Sequence, residues 1–165
     1  MDPEFWGRAT WLYLHTITFN YPANPTHQDK VIYYRHFKHL GDTLPCPSCA
    51  ESYKIYFKYI PLVEYLDDIH GITFWLYIIH YLVNKKLSKP NLPFNQVVKM
   101  YYSHKTSCSK VDPTKLSNEK CTAKPTTILD VNDTYTEFKN IAETKYLQKI
   151  AKHITKLNQD YPKLC

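Results

Sequence analysis

Pro45-Cys46-Pro47-Ser48-Cys49 sets two sulfurs three residues apart, between segments whose apolar pattern is helical. Sulfurs at that spacing can close into a small disulfide and open again. With Cys46 at the start of a helix, backbone N–H groups face its sulfur and favour the thiolate, the form that takes part in thiol–disulfide exchange. Pro47 suits the first helical turn, where a missing N–H costs nothing. The same tetrad can be half of a zinc site or a thioredoxin-type centre. Its surroundings have to decide.

Two other groupings could do chemistry. Arg8, Trp11 and His15 stand at i, i+3 and i+7 and so share one helix face. A cation, a flat indole and an imidazole there suit a planar, partly anionic ligand. The plainer reading makes Trp11 core and His15 a hydrogen-bonded interior histidine. His80 and Asn84, at i and i+4, lie beside the apolar stripe of a later helix. Polar groups on such a surface must bond each other, the backbone or something held in the interior. Lys86 and Lys89 follow within about one turn and bring positive charge to the helix's C-terminal end. That end is either a seat for a pyrophosphate or simply solvated charge.

These residues need elements to hold them, and the pattern supplies helices. Trp6, Trp11, Leu14, His15 and Thr18 recur at three- and four-residue spacing over 4–20, until Tyr21-Pro22 and Asn24-Pro25 stop the pattern. A second helix fits 27–43, carried by Val31, Tyr34, Phe37 and Leu40 and closed by Gly41. A third opens at Cys46 and runs to about Tyr59, ahead of Pro61. The most periodic stretch is 67–88, with Ile72, Leu76, Ile79, Val83 and Leu87 as its stripe, and a short fifth helix fits 94–103. Residues 104–134 are polar and read as a linker, whereas 134–158 regain an amphipathic pattern through Phe138, Ile141, Leu147, Ile150, Ile154 and Leu157. The expected fold is all-α: a four-helix bundle plus a short fifth helix over 1–103, a linker over 104–133 and a C-terminal helical extension over 134–165.

Composition narrows the function classes. Three glycines among 165 residues leave little for phosphate-cradling loops or a turn-rich β protein. The formal charge of +6 comes from scattered Lys and Arg, a solvated basic face rather than a nucleic-acid site. No apolar run reaches the length of a membrane span, and no secretory signal is expected at the N-terminus. The five cysteines are an odd number, and in a cytosolic protein a thiol centre performs chemistry more often than stapling. Richness in Lys, Asn, Ile and Tyr suggests an AT-rich genome such as that of a large DNA virus.

Taken in order, Trp6-Gly7-Arg8-x-x-Trp11-x-x-x-His15, Pro45-Cys46-x-x-Cys49, and Trp75 followed by His80-x-x-Val83-Asn84-x-Lys86-Leu87-x-Lys89-Pro90 resemble the Erv/ALR family of FAD-dependent sulfhydryl oxidases. The resemblance covers residues 5 to about 102. It implies FAD in the mouth of the bundle beside the dithiol, with Cys46 and Cys49 as the catalytic pair. It implies that Trp11 and His15 pack on the flavin and adenosine parts, with Arg8 near polar groups of the cofactor. His80, Val83 and Asn84 would line the adenine–ribose pocket, Lys86 and Lys89 would approach the phosphates, and Tyr101 would lie against the adenine side. Tyr81 stands where the family has Asn.

The activity implied is oxidation of substrate dithiols by O2, giving a disulfide and hydrogen peroxide. Cys46 would be attacked, and Cys49 would pass the electron pair to FAD. Implied partners are cysteine-containing protein substrates, among them a thioredoxin-like viral protein, and a second copy in a homodimer through the first helices, where Leu12, Tyr13 and Tyr33 offer apolar surface. The expected location is the host cytoplasm or the virion. The rivals are a zinc module using Cys46, Cys49, Cys108 and Cys121, a thioredoxin-like oxidoreductase, and a non-catalytic helical virion protein. Cys108 and Cys121 could form a shuttle pair, a staple or inert thiols.

Overall fold

The computed structural model describes residues 1–104 and 131–164. The shuttle or staple expected of Cys108 and Cys121, most of the linker and Cys165 lie outside the described residues. Six α-helices are present among the described residues, and the starts of the first four have a local cause. Helix α1 (Pro3–Phe19) opens with the Asp2 carboxylate accepting the Glu4 N–H at 2.8 Å and Pro3 in the first turn. Helix α2 (His27–Thr43) opens on a reciprocal cap between Thr26 and Asp29. Helix α3 (Pro47–Tyr59) has Cys46 itself as its N-cap residue. A short 3-10 turn (Leu62–Tyr65), which the apolar pattern did not signal, leads into α4 (Ile69–Lys86), capped by Asp68. Helix α5 spans Phe94–Tyr102, and α6 spans Val131–Asp160, starting three residues before the expected 134. No strand occurs among the described residues.

Gly41 does not close α2, which runs on to Thr43. Its role is packing. A Cβ at Gly41 would stand 2.9 Å from Lys54 Cγ and 3.1 Å from Tyr53 Cδ1, so the missing side chain lets α3 approach α2 closely.

Helix α4 is the axis of the core. Ile72, Leu76 and Ile79 are fully buried, as the periodicity requires, and so are Phe74 and Trp75 on other faces. A helix buried on several sides must be surrounded, and α4 is flanked by α1, α5, α6 and the 3-10 turn. The Trp75 indole N–H donates to Ile60 O at 2.8 Å, and its ring meets Phe37 and Phe57 edge-on. Trp75 therefore ties α2 and the end of α3 to α4, a structural role away from the polar residues at the other end.

Helix α6 shares this core. Phe138, Ala142, Tyr146, Ile150 and Leu157 are buried along one face, and each large apolar side chain so buried stabilises the fold by about 1.5–3 kcal/mol. Polar groups fix its register: the Lys145 ammonium and Tyr146 hydroxyl both reach Asp68, and Tyr56 OH donates to Leu164 O at 2.8 Å. Among the described residues, no helix is long and apolar enough to cross a membrane.

Candidate functional site

Helices α1, α3 and α4, with the C-terminal end of α2, enclose a cavity of about 760 Å³, within the range of about 300–1,000 Å³ usual for sites that bury a large organic molecule. Trp11, Leu14, Leu40, Tyr53 and Val83 give it an apolar side. Arg8, Lys86 and Lys89 line it as cations, Asn84 as an amide and Cys49 as a sulfur. Three motifs that the sequence keeps more than 30 residues apart therefore meet on one concave surface.

The dithiol sits at its edge. Cys46 and Cys49 are joined in a disulfide, with Cα atoms 5.2 Å apart. The Cys49 backbone N–H donates to Cys46 Sγ at 3.3 Å, and Ser48 Oγ lies 3.4 Å from the same sulfur. These are the helix N-terminal contacts that favour a thiolate at Cys46 once the disulfide opens. Both residues are half-buried, but only Cys49 belongs to the cavity lining. Cys46 stands outside it, on the side open to a partner.

On the opposite wall, Trp11 and His80 stack face to face, with centroids 3.8 Å apart and planes 6° from parallel. Behind them, His15 Nε2 and His80 Nδ1 are 3.0 Å apart and share one hydrogen. His15 and Tyr101 do not line the cavity; they stack on each other behind His80, with centroids 4.9 Å apart. The contacts described for them are with the wall.

Both imidazoles are held neutral. Burial, and then the neighbouring His80, push His15 down to about 3. Burial pushes His80 down to about 4. In the unfolded chain both return to about 6.5, so between there and pH 4 the unfolded chain binds more protons than the folded one. Their contribution to stability is complete above about pH 6.5 and is lost as pH falls. The urea midpoint should therefore drop steadily from pH 6.5 towards 4, and a His15→Asn, His80→Asn double variant should show a shallower drop. An equal slope in the two proteins would refute the assignment of this acid sensitivity to the pair.

The cationic end is organised by a residue the sequence reading missed. The Lys86 ammonium donates to Ser52 Oγ, and that hydroxyl donates to Ser48 O at 2.8 Å. Ser52 thus ties the end of α4 to the first turns of α3. Its position three residues after Cys49, on the same helix face, was the available signal. Trp6, Leu40 and Tyr53 also line the cavity, and only packing brings them there. The Asn84 amide donates to Asn91 Oδ1 at 3.1 Å, while Asn91 in turn donates to Tyr81 O at 3.4 Å. Tyr81 leaves its ring against Tyr77, away from the cavity, and contributes through its backbone.

Aromatic faces, a cluster of cations and a redox sulfur on one elongated surface fit a planar, phosphate-bearing redox cofactor. The comparisons agree. The Erv1/Alr family model matches residues 8–103. A probable FAD-linked sulfhydryl oxidase of Acanthamoeba polyphaga mimivirus is 33% identical over 99 residues, covering 59% of this chain and 69% of that protein. The mitochondrial FAD-linked sulfhydryl oxidase ERV1 of Saccharomyces cerevisiae is 34% identical over 95 residues, 57% of this chain and 49% of its own length. The chain thus spans about half of the yeast protein and more than two thirds of the viral one. Among solved structures, the FAD-binding domain of yeast Erv1 superposes with a TM-score of 0.58 at 31% identity, covering 61% of this chain and 94% of that domain. On the family match and the viral relative together, the chain belongs to the Erv1/Alr family.

Proposed function

We propose that this protein is an FAD-dependent thiol oxidase that makes disulfides in cysteine-containing protein substrates and passes the electrons to O2, giving hydrogen peroxide. The observation that carries the reading is the meeting of Cys49, the Trp11–His80 stack and the cations Arg8, Lys86 and Lys89 on one cavity. FAD would lie there with its ring systems against the aromatic wall and its phosphates towards the lysines. Val83 and Asn84 would border its adenosine part, with His15 and Tyr101 supporting from behind. Bound FAD supplies a two-electron acceptor that O2 can reoxidise.

The chain's own residues perform the exchange. A substrate thiolate attacks Cys46 Sγ, the S–S bond breaks, and Cys49 Sγ leaves as a thiolate on the cavity wall. A second substrate thiolate then attacks the mixed disulfide, releasing oxidised substrate and Cys46 as a thiolate. Two electrons have moved from substrate to the Cys46–Cys49 pair. The helix N-terminus that holds the Cys49 N–H against Cys46 Sγ makes Cys46 a good leaving group in this second step.

A homodimer through α1 and α2 is part of the proposal, supported by exposed Leu12, Tyr13 and Ile32; Tyr33 instead packs edge-on against Tyr21. A thioredoxin-like viral protein as substrate, and a site of action in the host cytoplasm or the virion, are proposed on the viral relatives alone. The test is colour. Purified protein should be yellow, bleach on addition of dithiothreitol without air, and recover its colour with O2 uptake and peroxide release when air returns. Colourless protein that binds no added FAD would overturn the reading.

A further inference from the structure

Helix α6 lies outside the residues that match the family, yet its Phe138, which also meets His70, Phe94 and Tyr102, joins a column of rings that leads to the cavity. Phe138 is 5% exposed and stacks on Phe19 of α1, with centroids 5.8 Å apart and planes at 25°. Phe19 stacks on Tyr101 of α5 at 5.4 Å and 14°, and Tyr101 stacks on His15 at 4.9 Å and 24°. His15 meets the Nδ1 edge of His80 of α4, and a face of the His80 ring carries Trp11. The column is continuous from the C-terminal helix to the cavity wall.

Its importance follows from how weakly His15 is held by hydrogen bonds. The ring is almost wholly buried, and its Nδ1 has no hydrogen-bond partner among the described residues. One bond, to His80, leaves the imidazole free to rock about that axis. Only packing removes this freedom, and the flat surface that does so is Tyr101, backed by Phe19 and Phe138. Motion that carries His15 off that axis weakens the one hydrogen bond that sets the tautomers of the pair, and His80 then loses its fixed partner and its alignment with Trp11. We infer that Phe138 is a positioning residue of the flavin site: through Phe19 and Tyr101 it fixes the His15–His80 pair and hence the aromatic wall on which the cofactor lies. This deepens the flavin reading of the cavity and rests on it.

The test uses full-length protein, purified with its flavin, as wild type, Phe138→Leu and Ile150→Ala. Leucine keeps apolar bulk at position 138, so α6 still packs, but it removes the flat face. Ile150 is 1% exposed on the same helix, about 18 Å further along its axis, and reports what loosening α6 does by itself. Three quantities are measured: the urea midpoint, the FAD dissociation constant, and the imidazole 15N shifts of His15 and His80 at pH 7.

Phe138→Leu should weaken FAD binding about tenfold, the value of one lost aromatic stacking contact, and should average the imidazole shifts between tautomers. Ile150→Ala should lower the urea midpoint at least as much, with both imidazoles and FAD affinity as in wild type. Wild-type shifts in Phe138→Leu, or flavin loss that tracks the urea midpoint in both variants, would overturn the inference. The imidazole shifts need no flavin. A wild type that binds no FAD, with averaging still specific to Phe138→Leu, would refute the cofactor assignment and uphold the positioning.

Discussion

Cys49→Ser should reduce thiol oxidation to the background rate of the assay while leaving FAD in the purified protein. Cys49 carries the only sulfur of the pair on the cavity wall, and a hydroxyl neither forms a disulfide nor leaves as a stable anion at neutral pH. The rest of the cavity comes mainly from α1 and α4, with Leu40 and Leu44 at the end of α2 and Ser52 and Tyr53 of α3, and does not depend on that sulfur. Cys46→Ser should be equally inactive for a different reason. It removes the sulfur that substrates attack and leaves Cys49 as a free thiol facing the cofactor, expected to show as a broad long-wavelength absorption that fades on acidification. Oxygen consumption with dithiothreitol and the visible spectrum read both outcomes. Turnover near wild type in either variant would end the thiol oxidase reading.

Trp11→Ala should strip the flavin. Trp11 is one face of the stack with His80, and alanine removes the whole surface. Aromatic contacts of this kind are worth about 0.5–1.5 kcal/mol beyond the area they bury, so FAD affinity should fall at least about tenfold. The ratio of flavin to protein absorbance after purification, followed by titration with added FAD, measures it. Because Trp11 is only half-buried, the variant should still fold, with a helical circular dichroism spectrum like that of wild type. Full flavin occupancy in Trp11→Ala would mean that the cofactor lies elsewhere.

Helix content was legible in the chain because its causes are local. The stops at Tyr21-Pro22 and Pro61, the cap at Thr26 and the stripe through Ile72, Leu76 and Ile79 each act within a few residues. The Cys-x-x-Cys and its place at a helix start were legible for the same reason, since N-cap geometry is set by Cys46 to Cys49 alone. So was the sharing of one face by Arg8 and Trp11, which follows from helical spacing.

What the sequence could not decide is which surface each face meets. His15 and His80 share a hydrogen although they are 65 residues apart, and their helices' packing sends one behind the wall and the other onto it. Gly41 has the local look of a helix end, yet it serves as a gap for α3, because the close approach is made by Lys54 and Tyr53. Ser52 shares a helix face with Cys49, but its partner Lys86 arrives from α4, 34 residues away, and no spacing along α3 announces that. The seating of α6 on Asp68, Tyr56 and Phe19 is likewise invisible in periodicity, which states that a helix has an apolar face and is silent about its partner. By itself the sequence determined the helices and the chemistry they carry; the tertiary structure decided which side chains touch, because contacts between distant segments depend on how whole helices pack and not on spacing along the chain.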